Sequence, residues 1–122
     1  MQNLNELRDE IYDDAVVHGL WDEDYLLKTF VNSDVLRDSG ALKIYKIANT
    51  ERETMRVNAA LRVILENQEL LESVLEEDHF REELADVIIL VLSAAGYLGI
   101  DIDKAVREKM EINKKREWRH GK

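Results

Sequence analysis

Apolar residues recur along the chain at spacings of three and four, with charged residues between them, so helix is predicted along most of its length. Leu4, Leu7, Ile11, Ala15 and His18 share one stripe, which predicts an amphipathic helix over residues 3–18, ended by Gly19. From Trp21 to about Phe30 no clear period emerges. Asp38-Ser39-Gly40 reads as the clearest internal turn, and a helical pattern begins at Ala41 with Leu42, Ile44, Tyr45, Ile47 and Ala48 as its apolar members. A long helix is predicted over 51–77, with Ala60, Ile64, Leu71, Val74 and Leu75 as its apolar side and Glu66 and Glu69 opposite. Glu77-Asp78-His79 reads as a turn before the most apolar helix, residues 80–98. Its VIILVL segment has the composition of a strand, but its length and unbroken flanks favour helix. Asp101 or Asp103 then caps a last helix running to about residue 117. The expectation is an all-α helical bundle of four or five helices in a single domain spanning 1–122.

Composition agrees with this pattern. Among 122 residues there is no proline and only five glycines, which suits a chain of helices. The absence of cysteine removes disulfides and thiolate metal sites. The opening MQNLNELRDEIYDD is polar and acidic, unlike a secretory or mitochondrial signal, so the expected location is cytoplasmic. The apolar stretch Leu84–Leu98 is short for a membrane span and carries Asp86, so it is expected to be a buried core helix. A net charge of −9 disfavours non-specific nucleic-acid binding. That charge is uneven: residues 66–86 hold nine acids against Arg81 alone, whereas residues 101–122 carry a net +3.

Four of the nine acids form two spaced pairs, Glu66-x-x-Glu69 and Glu83-x-x-Asp86. Residues three apart share a helix face, so each pair aims two carboxylates in one direction. A short connection makes neighbouring helices antiparallel, so the two pairs can meet. Converging carboxylates repel, and an all-oxygen donor set suits Mg²⁺, or Mn²⁺ in its place, rather than zinc. The competing reading of Glu66 and Glu69 is a solvated acidic surface. Asp86, followed by Val87–Leu92, is read as enclosed on most sides; there it is either a metal ligand or a structural carboxylate, ion-paired or stabilised by the helix start. Lys109, Asn113 and Arg116 share a face of the last helix that continues the stripe of Ile102, Ala105 and Val106. They suit either phosphate oxygens in a polar cavity or the cation preference of a helix end. Trp21 either packs or stacks on a base at the edge of a pocket, and His18 reads as a core or interface residue. Histidines at 18, 79 and 120 have no metal-ligand spacing.

With these motifs in view, residues 82–122 (EELADVIILVLSAAGYLGIDIDKAVREKMEINKKREWRHGK) resemble the MazG-like all-α nucleoside triphosphate pyrophosphohydrolases. The family pattern is E-x-x-E, a spacer, E-x-x-D and a downstream K-x-x-x-N-x-x-R, matched by Glu66/Glu69, Glu83/Asp86 and Lys109/Asn113/Arg116. The GID turn, the terminal HGK and the opening NELRDEIYDDAVVHGLWD are also similar, the last to a short phage- and prophage-associated branch. Leu65 departs from the pattern, standing where another glutamate is common, and residues 25–58 lie outside the resemblance. The resemblance implies Mg²⁺-dependent cleavage of a (d)NTP between the α and β phosphates, giving (d)NMP and pyrophosphate. It implies that Glu66, Glu69, Glu83 and Asp86 hold the metal and serve catalysis, and that Lys109, Asn113 and Arg116 position the polyphosphate. It also implies a homodimer or homotetramer. The rival expectation is a helical nucleotide-sensing or protein-interaction module that keeps the fold without turnover.

Overall fold

The computed structural model describes residues 3–116. It contains six α-helices: α1 (Leu4–Val17), α2 (Glu23–Val31), α3 (Asp34–Ser39), α4 (Glu51–Glu72), α5 (Glu77–Leu98) and α6 (Ile102–Lys115). A 3-10 segment, Ala41–Lys46, links α3 to α4, and no strand occurs among the described residues. The chain is therefore an all-α bundle, with VIILVL inside α5. Short polar side chains set the helix starts. Asn3, Ser33, Thr50 and Asp101 accept backbone N–H bonds from Glu6, Leu36, Glu53 and Lys104, filling donors that the first turn leaves free.

Three boundaries differ from expectation. α4 stops at Glu72, where Ser73 is buried and its hydroxyl donates to the Leu70 carbonyl at 2.6 Å. The turn therefore falls at residues 74–76, and Glu77-Asp78-His79 form the first turn of α5. The pattern after Ala41 closes as a 3-10 segment before Thr50 opens α4. The HGK terminus, with His120, lies outside the described residues.

α4 and α5 form the central pair, joined by a short connection and so antiparallel, and α5 also packs along α1. The α1–α5 contact is closest at Gly96, where an added Cβ would lie 2.5 Å from Tyr12 Cβ. Only glycine allows the two backbones this approach. Gly99 ends α5 at φ +67, with Ile100 N–H bonded back to the Ala95 carbonyl, a Schellman-type stop. α6 leaves α5 at a bend of 114° and packs chiefly against α1. Asn5 secures that junction: its Oδ1 accepts from the Ile102 and Asp103 backbones, while Asp103 Oδ1 accepts from Leu4 N–H.

The region outside the resemblance supplies the most deeply buried apolar side chains of the core. Phe30 and Leu36 are 0% exposed and Leu26 1%, packed with Leu61, Leu90, Ala94 and Leu98 from α4 and α5. Each large side chain buried there contributes about 1.5–3 kcal/mol of transfer free energy. Residues 23–36 thus form the floor that holds α4 in place.

Apolar faces of three helices, α4, α5 and α6, point wholly or partly outward. Ala60, Ile64, Leu71, Val74 and Leu75 are exposed, Leu75 at 99%, whereas α4 buries Val57, Asn58, Ala59 and Leu61. α5 is enclosed only toward its C-terminus. Its N-terminal half exposes Leu84, Ile88 and Ile89, and Asp86 is exposed with them. α6 buries no residue, so the stripe of Ala105 and Val106 opens onto a shallow hollow. A helical stripe marks an apolar face without saying whether its own chain covers it. No single helix among the described residues is long and apolar enough to cross a membrane.

Candidate functional site

The antiparallel α4–α5 pair brings the two acid motifs together. Glu66, Glu83 and Asp86 each offer a carboxylate oxygen, and all three oxygens lie within 4.8 Å of one another. Opposite oxygens around an octahedral Mg²⁺ stand roughly 4.2 Å apart, so the separation is close to what such an ion requires. Glu66 and Glu83 are half-buried, and Asp86 is exposed. Glu66 Oε2 and Glu83 Oε2 are buried without a hydrogen-bond partner. Buried carboxylate oxygens normally find a donor or a cation, so this donor set fits a hard divalent ion. Glu69 is exposed, three residues along α4 from Glu66.

Crowding shows in the protonation of Glu66. Its pKa is pushed up to about 7, first by burial, then by the Glu69 carboxyl and the charge of Asp86; Arg62 opposes the shift. Close to neutrality the side chain is poised between its two charge states. His79, one turn before Glu83, sets Nε2 3.4 Å from Glu83 Oε1.

Two of these acids, Glu66 and Asp86, line a cleft of about 780 Å³ between α1, α4 and α5. α1 contributes Glu10, Asp13 and Asp14, and α4 and α5 contribute Glu66 and Asp86. Trp21 lines the cleft and packs, as one of the two readings offered for it expected. It is buried, stacked on Tyr97 with ring centroids 4.2 Å apart, and its Nε1 donates to Ser93 Oγ at 2.8 Å, yet it also lines the cleft. Beneath it, Asn58 accepts from the Tyr45 hydroxyl and donates to that of Tyr97. Burial, with the electrostatic effect of the neighbouring Tyr97 hydroxyl as a smaller cause, pushes the Tyr45 hydroxyl up to about 12, so it stays a donor.

The basic motif lies elsewhere. Lys109 is exposed, Asn113 half-buried, and both line a separate hollow of about 430 Å³ on α6; Arg116 follows the end of that helix. None of the described residues lining the acidic cleft belongs to α6. His18 is exposed at the end of α1 rather than in the core, with Nδ1 2.8 Å from the Asp14 carbonyl oxygen.

Arg62 was not anticipated from the sequence. It lines the cleft, with its guanidinium carbon 5.9 Å from the Trp21 ring centroid and 5.8 Å from that of Tyr25. The available signal was its place one turn before Glu66 on the same helix face.

Comparison with known proteins agrees with the motif. The family model of the MazG-like family matches residues 60–122, just over half of the chain. A dATP/dGTP diphosphohydrolase of Cyanophage S-2L is 50% identical over 36 residues, covering 30% of this chain. The match spans 34% of that relative's own length. No solved structure matches the chain significantly.

Proposed function

The chain belongs to the MazG-like family, and from that premise we propose that it is a divalent-cation-dependent nucleoside triphosphate pyrophosphohydrolase. The observation that carries the proposal is the convergence of Glu66, Glu83 and Asp86, of which Glu66 and Asp86 line a cleft large enough for a nucleotide. The partial relative from a cyanophage supports nucleotides as substrates, with purine deoxynucleotides first to be tried.

In this reading Glu66, Glu83 and Asp86, with Glu69 beside them, hold Mg²⁺, for which Mn²⁺ substitutes. When bound, the ion supplies Lewis acidity toward phosphate oxygens. The carboxylates orient a water molecule toward the α-phosphorus. A bond forms from the water oxygen to that phosphorus, the bond to the α–β bridging oxygen breaks, and pyrophosphate leaves with the bridging oxygen. The proton released from water passes to a carboxylate of the cluster. The buried edge of Trp21 bounds the cleft for the nucleoside.

Lys109, Asn113 and Arg116 remain the proposed polyphosphate contacts. Because α6 does not line the cleft of its own chain, we place these contacts in trans, from a second copy. The outward apolar faces of α4 and α5 supply the surface for that assembly.

The test is a panel of canonical (d)NTPs with Mg²⁺ or Mn²⁺, with products separated by chromatography. Monophosphate and pyrophosphate are expected from at least one nucleotide, and their loss is expected in Glu83→Gln and Asp86→Asn. Nucleotide binding without turnover would favour the sensing module, and neither binding nor turnover would end the nucleotide reading.

A further inference from the structure

The cleft poses an electrostatic difficulty for the ligand just proposed. Its ionisable lining is Glu10, Asp13, Asp14, Glu66 and Asp86, against one cation, Arg62. A triphosphate brings further negative charge to a surface that already repels it. One divalent ion would offset part of this repulsion, at the Glu66–Asp86 end. A second positive group at a fixed place would both attract the polyphosphate and set its direction.

Arg62 has the geometry for that role. It is half-buried on α4, one turn before Glu66, so its charge stands beside the carboxylates proposed to hold the ion. Its guanidinium lies over two rings at once, Trp21 at 5.9 Å and Tyr25 at 5.8 Å. Among the described residues it makes no ion pair. Aromatic faces hold a guanidinium through its plane and leave the N–H donors at its edge free. Trp21 is fixed by Ser93 and Tyr97, so one side of the clamp is rigid. Tyr25 is exposed on the first turn of α2, four residues after Trp21, and forms the other side. A planar fork held this way matches phosphate oxygens in a manner that a lysine cannot.

We infer that Arg62, clamped between Trp21 and Tyr25, is this chain's own phosphate contact, receiving the polyphosphate of a nucleotide whose cation sits at Glu66, Glu83 and Asp86. The inference rests on the cleft being a nucleotide site. It makes Arg62 a substrate-binding residue and Tyr25 a positioning residue acting through it.

Calorimetry on the full chain with Mg²⁺ tests the assignment, using two probes: a non-hydrolysable dNTP analogue and inorganic tripolyphosphate, which has neither base nor sugar. Arg62→Met, which keeps the aliphatic stem against the rings, is expected to weaken both probes on the order of ten- to a hundredfold. In turnover, KM should rise by more than kcat falls. Arg62→Lys should recover part of the affinity, and Tyr25→Ala should cost a few-fold. Arg62→Gln serves as a second neutral variant if Arg62→Met melts early. If wild type binds both probes and the neutral variants bind them equally well, the role of Arg62 is overturned while the nucleotide reading stands. If only the analogue weakens, Arg62 faces the nucleoside and the phosphate assignment is wrong. If wild type binds neither probe, the nucleotide reading falls and takes this inference with it.

Discussion

The two halves of α5 share one helix and have opposite tasks. From Leu90 to Leu98 the helix is covered: Ser93 receives the Trp21 indole, Gly96 admits α1, and Ala94 and Leu98 join the core. From Glu77 to Ile89 it carries Glu83 and Asp86 and leaves Leu84, Ile88 and Ile89 at the surface. The covered half holds the helix at a fixed height and rotation. The open half uses that rigidity to aim carboxylates at Glu66 across the α4 interface. Packing and chemistry are separated along a single element, so substitutions in the two halves should fail in different ways.

The sharpest contrast comes from the open half. Asp86→Asn and Glu83→Gln should lower turnover by about a thousandfold or more, since each removes a charge from the site proposed to hold the ion. Melting temperature should barely change, because neither side chain packs into the core. Equal loss of stability and activity would erase the distinction between the halves.

The covered half should show the reverse. Gly96→Ala forces a methyl group against Tyr12, and overpacking of this kind costs about 1–3 kcal/mol. Thermal unfolding should shift downward accordingly, while the metal affinity of the folded protein stays near wild type. A third change addresses the exposed apolar face. Ile88→Glu should leave the unfolding free energy of a single chain almost unchanged and lower the mass seen by light scattering. A wild-type chain that is monomeric at all concentrations would remove the assembly proposal and the trans contacts with it.

Much of this architecture was legible in the pattern. The stripes for α1, α4, α5 and α6 marked four long helices, and the spacing of two acid pairs on neighbouring helices marked the cluster. The side to which α4 turns was not legible. Ala60, Ile64 and Leu71 repeat with the same period as a core face, and periodicity does not record what covers it. Residues 23–46 fold as three short segments, each too brief for a period to emerge, although Leu26, Phe30 and Leu36 anchor the core. Arg62 escaped notice because its meaning depends on Trp21 and Tyr25, which reach it only through the fold.

Two smaller effects follow from proton linkage. Glu66 has its folded pKa raised above the unfolded value, so its contribution to stability is present at low pH and is lost as pH rises through about 7. Metal-free protein should therefore melt lower at pH 8 than at pH 5.5, by under about 1 kcal/mol after solvent screening. Glu66→Gln should flatten that slope, and Mg²⁺ should offset it. Asp101 and Asp103 work in the opposite sense. Asn5 is the main cause of the lowered Asp101 pKa and Arg107 of the lowered Asp103 pKa, so their support of the α1–α6 junction is lost as pH falls through the acid range. Amide exchange at the start of α6 should quicken there before the α4–α5 pair responds.

The central claim is that these carboxylates form one cation site. Mn²⁺ titration followed by electron paramagnetic resonance, with a non-hydrolysable dNTP analogue present, tests it most directly. A saturable site in the wild type that disappears in Glu83→Gln and Asp86→Asn is the predicted result. Mn²⁺ binding that is unchanged in both variants would contradict it.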